Sequence, residues 1–140
     1  MAHRDHRAFL AALEKKGELF RLKSEVDWDE EVGAIYQETI VRKGPALVYE
    51  NIKGYKATHG MKLAAQMDSS MKRCAIALDV DENSSKDDLM NLWRTRSKNL
   101  IKPVLVSTGP CKEIIHRGKD VNVLEFPVPK LHPHDGGRYI

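Results

Sequence analysis

Cysteine is scarce in this 140-residue chain, with only Cys74 and Cys111 present. Two thiols are too few for the disulfide framework that staples small secreted domains, and they read as reduced thiols of a cytoplasmic protein. Long apolar runs are missing as well. No stretch approaches the roughly 18 to 20 residues of a membrane span, and Met1-Ala2-His3-Arg4-Asp5-His6-Arg7 leads into charged sequence with no secretory apolar core. The expectation is a cytoplasmic protein with no membrane partner. There is no arginine-rich arm, zinc-finger spacing or aromatic–basic interleaving, which sets nucleic acid aside as a partner. The glycines never fall into a Walker or dinucleotide-binding pattern. Asp81, Asp87 and Asp88 lack the glycine and bidentate glutamate of a calcium loop.

What is present is the composition of a folded globular chain: 41% hydrophobic and 31% charged residues. The length suits one domain burying roughly two thirds of its unfolded surface. The net charge of +3 is uneven, because residues 94–140 hold nine Lys/Arg against four Asp/Glu. Such a bias favours an anionic partner, such as a carboxylate or a phosphorylated cofactor, but charges this scattered read first as a solvated face.

Local signals order the chain. Asp5 caps a first helix to about Lys16, with Phe9, Leu10 and Leu13 on its apolar face and Gly17 as its stop. Glu18 to Lys23 alternates as a half-buried strand does. Asp27 and Glu30 have capping-box spacing for a second helix whose stripe is Val32, Ile35, Tyr36, Thr39 and Ile40. Pro45 opens the strand Ala46-Leu47-Val48-Tyr49-Glu50. A turn at Asn51-Ile52-Lys53-Gly54 leads to a returning strand over residues 55–60. Glu50 and Asn51 at a strand end can orient a ligand, yet the plainer reading is a solvent-facing Glu50 and an Asx turn at Asn51. Ser69 or Ser70 starts a short helix with Met71, Cys74, Ala75 and Leu78 on one side. Ser85 caps a longer one, whose face carries Leu89, Leu92, Trp93, Arg96 and Leu100, with Trp93 expected in the core. Further strands are expected at Val104-Leu105-Val106-Ser107, at Cys111 to His116 and at Leu124-Glu125-Phe126. Cys111 and His116 fall on opposite faces of such a strand and make a poor catalytic pair. The class is α/β, a mixed sheet with packed helices.

The densest run of specialised residues is Phe126-Pro127-Val128-Pro129-Lys130-Leu131-His132-Pro133-His134-Asp135-Gly136-Gly137-Arg138-Tyr139-Ile140. His132, His134 and Asp135 form a partial metal site at best, since zinc or manganese needs more ligands than this run supplies. Arg138 has the fork for a carboxylate or phosphate. The plainer account is a crossover between domains, stiffened by three prolines and turned by the glycine pair.

Four stretches together resemble the UbiD family of decarboxylases, enzymes that use prenylated FMN. They are Phe9 to Leu19; Gly44-Pro45-Ala46-Leu47-Val48-Tyr49-Glu50-Asn51-Ile52-Lys53-Gly54; Gly109 to Gly118, with its Pro-x-x-Glu-x-x-His-x-Gly pattern; and Leu124 to Ile140. The resemblance implies an N-terminal α/β domain over residues 1–125. Residues 126–140 then cross into a flavin-binding split β-barrel domain that is absent from this sequence, as is a C-terminal domain that carries homo-oligomerisation. It implies reversible, non-oxidative decarboxylation of an aromatic or α,β-unsaturated carboxylic acid, in which the modified flavin forms a covalent adduct with the substrate and acts as the electron sink. The family's cofactor contacts, manganese and potassium ligands and catalytic Glu-Arg-Glu set lie beyond the Asp135-Gly136-Gly137 passage. No catalytic, cofactor-binding or metal-ligating residue is therefore assigned here, and the chain alone is expected to bind no cofactor. Arg138, Asp135 and His134 are candidates for a supporting, positioning role, with their partners expected past the last residue. Residues 55–68 depart from the usual family run, and Gly60-Met61-Lys62 is closer to members acting on hydroxybenzoate- or protocatechuate-type acids. Two other readings stand beside this one: an accessory subunit that docks on a catalytic partner, and a small carboxylate-binding module using the basic C-terminal third.

Overall fold

The structure is a computed structural model describing residues 3–55 and 61–139. Helix α1 spans His6–Lys15, with the Asp5 carboxylate accepting the Ala8 N–H at 2.8 Å and Leu13 fully buried. Gly17 follows at φ 71°, the left-handed stop that lets the chain reverse into strand β1, Leu19–Leu22. Helix α2, Glu31–Val41, then crosses over to strand β2, Ala46–Tyr49, which lies parallel to β1 with Leu19 opposite Ala46 and Leu22 opposite Tyr49. Parallel neighbours need such a crossover, and here the helix supplies it. Strand β3, Leu63–Ala65, runs antiparallel along the other edge of β2, giving the sheet order β1-β2-β3.

All four residues of β2 are buried, as expected of a central strand covered on both faces. Alternation sends Leu47 and Tyr49 to one face, where they meet Val26, Val32 and Ile52. Ala46 serves the other, with Leu13 and Ile76. The Tyr49 hydroxyl donates to the Val32 carbonyl at 3.3 Å, so its one polar atom is satisfied inside the first cluster. Helix α3, Met71–Leu78, closes the second cluster, and its start is capped by the Ser70 hydroxyl accepting the Arg73 N–H. Arg73 is buried and pairs with Glu18 at 3.1 Å while donating to the Gly44 carbonyl. Helix α4, Lys86–Arg96, begins with the Ser85–Asp88 capping box.

Several expectations are corrected. Helix α2 begins three residues later than an Asp27 cap with Glu30 implied, since Glu30 itself stands at the cap position with φ 68°. The Glu31 carboxylate accepts the Asp27 N–H at 2.7 Å, while the Asp27 carboxylate accepts the Asp29 N–H at 3.1 Å. Ile40 is largely exposed, so the α2 stripe ends at Thr39. Of the returning strand expected over residues 55–60, Tyr55 is irregular, 56–60 lie outside the described residues, and the paired strand is β3. Trp93 is 62% exposed instead of buried, because α4 packs on α3 and only Leu89 reaches the interior. The strands expected at residues 104–107, 111–116 and 124–126 are absent. Single helical turns at Pro110–Lys112 and Val123–Glu125 overlap the second and third, a further turn lies at Gly118–Asp120, and residues 104–107 are irregular. A strand needs a neighbour for its N–H and C=O groups. Residues 104–107, 111–116 and 124–126 have no strand partner among the described residues, and local turns such as Lys112 N–H to the Gly109 carbonyl serve part of the backbone.

Candidate functional site

The proline-rich run over residues 126–139 does not trail into solvent. Pro127 is buried, and the run returns to the start of α2. The Lys130 N–H donates to the Trp28 carbonyl at 3.0 Å, and the Lys130 carbonyl accepts the Glu30 N–H at 2.9 Å, forming a short parallel bridge opposite Asp29. The left-handed backbone of Glu30 has a purpose here, since its N–H serves the incoming chain. Lys130 Nζ adds an ion pair to Glu30 at 3.4 Å. Leu131 packs against the Tyr49 cluster, and its carbonyl lies against Gly33.

Arg138 closes the arrangement. Its Nε donates to the Val128 carbonyl at 2.6 Å and one Nη to the Phe126 carbonyl at 3.2 Å and to the Tyr55 hydroxyl. The guanidinium lies 4.3 Å from the centre of the Trp28 ring and 5.6 Å from that of Tyr55. The Tyr55 hydroxyl in turn donates to the Leu124 carbonyl at 2.9 Å. This corrects the expectation that the partners of Arg138 lie past the last residue. They lie on the N-terminal unit and on the run itself. Asp135 is also engaged locally: its carboxylate accepts the His132 N–H at 3.0 Å while its own N–H donates to the His132 carbonyl. His132 and His134 are exposed beside it. Trp28 and Gly33 were not singled out as functional from the sequence. Gly33 carried a signal, because a glycine inside a helical stripe asks for a packing reason. Trp28 carried none.

Glu50, expected to face solvent, is instead half-buried between Lys62 Nζ at 2.7 Å and Arg21 Nη1 at 3.3 Å. Lys62 and Arg21 hold its carboxyl below the usual range against the opposing cost of burial. Arg21 also pairs with Glu14 at 2.7 Å. Arg21 and Lys62 line an open cleft of about 880 Å³ together with Asp5, His6 and Arg7. Both Arg21 and Lys62 are paired with carboxylates there. His116 places Nδ1 3.0 Å from the Asp120 carbonyl, a contact within one turn.

Comparison with known proteins bears directly on this arrangement. Residues 10–93 match the N-terminal domain of 3-octaprenyl-4-hydroxybenzoate carboxy-lyase, UbiD_N, and residues 102–140 match the Rift-related domain of the same carboxy-lyase, UbiD. The chain belongs to the UbiD family. It is 32% identical to a pyrrole-2-carboxylic acid decarboxylase of Pseudomonas aeruginosa, over 96% of this chain and 28% of the relative. It is 33% identical to a phenolic acid decarboxylase of Sedimentibacter hydroxybenzoicus, over 99% of this chain and 29% of that one. Among solved structures, the vanillic acid decarboxylase of S. hydroxybenzoicus in open form superposes with a TM-score of 0.85 at 31% identity, covering all of this chain and 30% of the other. An evolved dimeric form of the UbiD-class enzyme HmfF from Pelotomaculum thermopropionicum, in complex with prFMN, gives 0.78 at 28% identity, covering 96% of this chain and 30% of the other. The chain thus spans about 30% of the length of the relatives it matches.

At the crossover run and the cleft of this UbiD chain, Arg138, Arg21 and Lys62 are already engaged and do not fit a flavin phosphate. Arg138 spends its fork on main-chain carbonyls and a phenol, and Arg21 and Lys62 are paired with carboxylates. No group of three or more His, Cys, Asp or Glu among the described residues is placed to hold a metal ion. No described helix is long and apolar enough to cross a membrane.

Proposed function

We propose that this chain is the N-terminal part of a prenylated-FMN-dependent carboxy-lyase that non-oxidatively and reversibly decarboxylates an aromatic, hydroxybenzoate-type or α,β-unsaturated carboxylic acid. Residues 1–125 form the α/β domain in this reading. Residues 126–140 are the crossover into the flavin-binding domain, and the chain alone is inactive and binds no prenylated FMN. The observation that carries the reading is the seated run: residues 102–140 match the family's second domain, and their last stretch is held on residues 28–55 by the Trp28, Glu30 and Tyr55 contacts. The decarboxylases of pyrrole-2-carboxylic, phenolic and vanillic acids among the relatives support the substrate class, and the prFMN complex of HmfF supports the cofactor. Here the chain's own contribution is scaffolding. It fixes where the flavin domain starts and takes no proton.

The test is expression of the continuous gene with a flavin prenyltransferase, followed by a screen of hydroxybenzoates and cinnamates for CO2 release. Flavin binding with turnover of at least one such acid is expected. A full-length product that takes up no flavin would contradict the reading, and stoichiometric flavin absorbance on the 140-residue chain alone would contradict its inactive part. The exposed apolar arm over residues 99–125 gives the accessory-subunit reading one observation of its own, since such a surface suits docking on a separate catalytic chain. A stop codon after Ile140 favours that reading, and an open frame favours the first.

A further inference from the structure

Among the described glycines, Gly33 has the least room for a side chain. A Cβ there would stand 1.8 Å from the Leu131 carbonyl oxygen and 2.7 Å from its carbon, both backbone atoms that cannot swing aside. Three residues earlier, Glu30 holds φ 68°, a conformation a non-glycine residue keeps only where its surroundings over-determine it. What over-determines it is the hydrogen bond to Lys130. Trp28 contributes twice, through its carbonyl to the Lys130 N–H and through its ring beneath the Arg138 guanidinium. Tyr55 also contributes twice, accepting from Arg138 and donating to Leu124. Four separate features of residues 28–55 are therefore shaped to receive residues 124–138.

We propose that Trp28, Glu30, Gly33 and Tyr55 form a seat for the crossover, with Arg138 the positioning residue that closes it. The turn closed by the Asp135 N–H on the His132 carbonyl brings Arg138 back onto the run, and the chain then leaves the unit in one fixed orientation. The chemistry needs arginine. A planar fork can bridge the carbonyls of residues 126 and 128 and stack on an indole at once, whereas a lysine ammonium offers a point charge. Its consequence for catalysis, that the α/β unit and the start of the flavin domain move as one body, rests on the function proposed above. The seating itself does not.

The test is residue-resolved amide exchange on the chain as it stands. The Glu30 and Lys130 amides report the seat, and the Ala46 and Glu50 amides, bonded to the Glu18 and Leu22 carbonyls, report the sheet. In Arg138→Gln and in Arg138→Lys, the seat amides are expected to exchange about tenfold faster or more while the sheet amides stay within about twofold, the pattern of local opening. Gly33→Ala is expected to raise seat exchange further, about a hundredfold, because the clash is with backbone. In a Trp93→Phe background, Trp28 emission is expected to shift to the red in the same variants. Unchanged Glu30 and Lys130 exchange in Arg138→Gln, or full restoration by lysine, overturns the proposal. If Gly33→Ala also exposes the sheet amides, Arg138→Gln alone decides. A full-length product without flavin would remove the decarboxylase reading and leave the seat standing, so the two failures are distinct.

Discussion

Two stretches of this chain start from nearly the same recipe and end in opposite states. Pro45-Ala46-Leu47-Val48-Tyr49 and Pro103-Val104-Leu105-Val106-Ser107 each place three or four apolar residues behind a proline. The first becomes β2, buried at every position between β1 and β3. The second forms no strand, and Leu105 is 99% exposed, with Ile101 close by at 95%. Intrinsic preference is similar in the two, so preference did not decide. Neighbours did: β2 has a hydrogen-bonding partner on both edges and helices over both faces, and residues 104–106 have neither among the described residues. Strand propensity is largely a statement about the surface a segment finds to pack on.

Substitution sharpens that contrast most. Leu47→Ala is expected to cost about 2–5 kcal/mol in urea unfolding, the range for truncating a buried leucine. Leu105→Ala should change stability by no more than about 0.5 kcal/mol, as at a surface position. Equal losses at the two sites would break the comparison.

The pH extremes probe the packed region next. Hydrogen-bonded partners hold Glu14, Asp27, Glu50, Glu82 and Asp88 below the ordinary carboxylate range: Arg21, Lys53, Lys62, Lys16 and Ser85 respectively. Their contribution to stability is complete above the unfolded carboxylate values of about 4 and is lost as pH falls through the lower folded values. Burial pushes Tyr49 up to about 12. A raised value works in the other direction, so stability is complete below about pH 10 and falls as pH rises towards the folded value. Urea unfolding across pH should show both limbs, and Tyr49→Phe should shrink the alkaline one, to which Lys53 and Lys72, raised by Asp27 and Glu18, also contribute. A smaller effect is expected at α4, where Ser85→Ala should cost about 1 kcal/mol through loss of the capping box, read as a lower thermal midpoint by circular dichroism.

Much of the packed region was legible because its signals are local. Asp5, Ser70 and Ser85 cap helices where their side chains can reach the next free N–H groups, and Gly17 marks a left-handed stop. The mixed sheet also followed, from a helix set between two extended runs. What stayed illegible depends on contacts far along the chain. Trp93 sits at an apolar helical spacing, but that spacing does not reveal whether a second layer covers the helix. The three strands expected beyond residue 103 met no partner. At the candidate site, the fork of Arg138 and the glycine pair were visible, while the Trp28 ring beneath the guanidinium was not, since nothing around Trp28 in sequence points to it. The partners of Arg138, expected past the last residue, lie behind it on residues 28–55 and on the run itself.

The most direct measurement is amide exchange compared between Ala46–Tyr49 and residues 104–106 in the same sample. If neighbours and not composition decide the two states, β2 amides should be protected close to the global unfolding limit, and those of residues 104–106 should exchange near unfolded-chain rates. Comparable protection in the two stretches would contradict that claim.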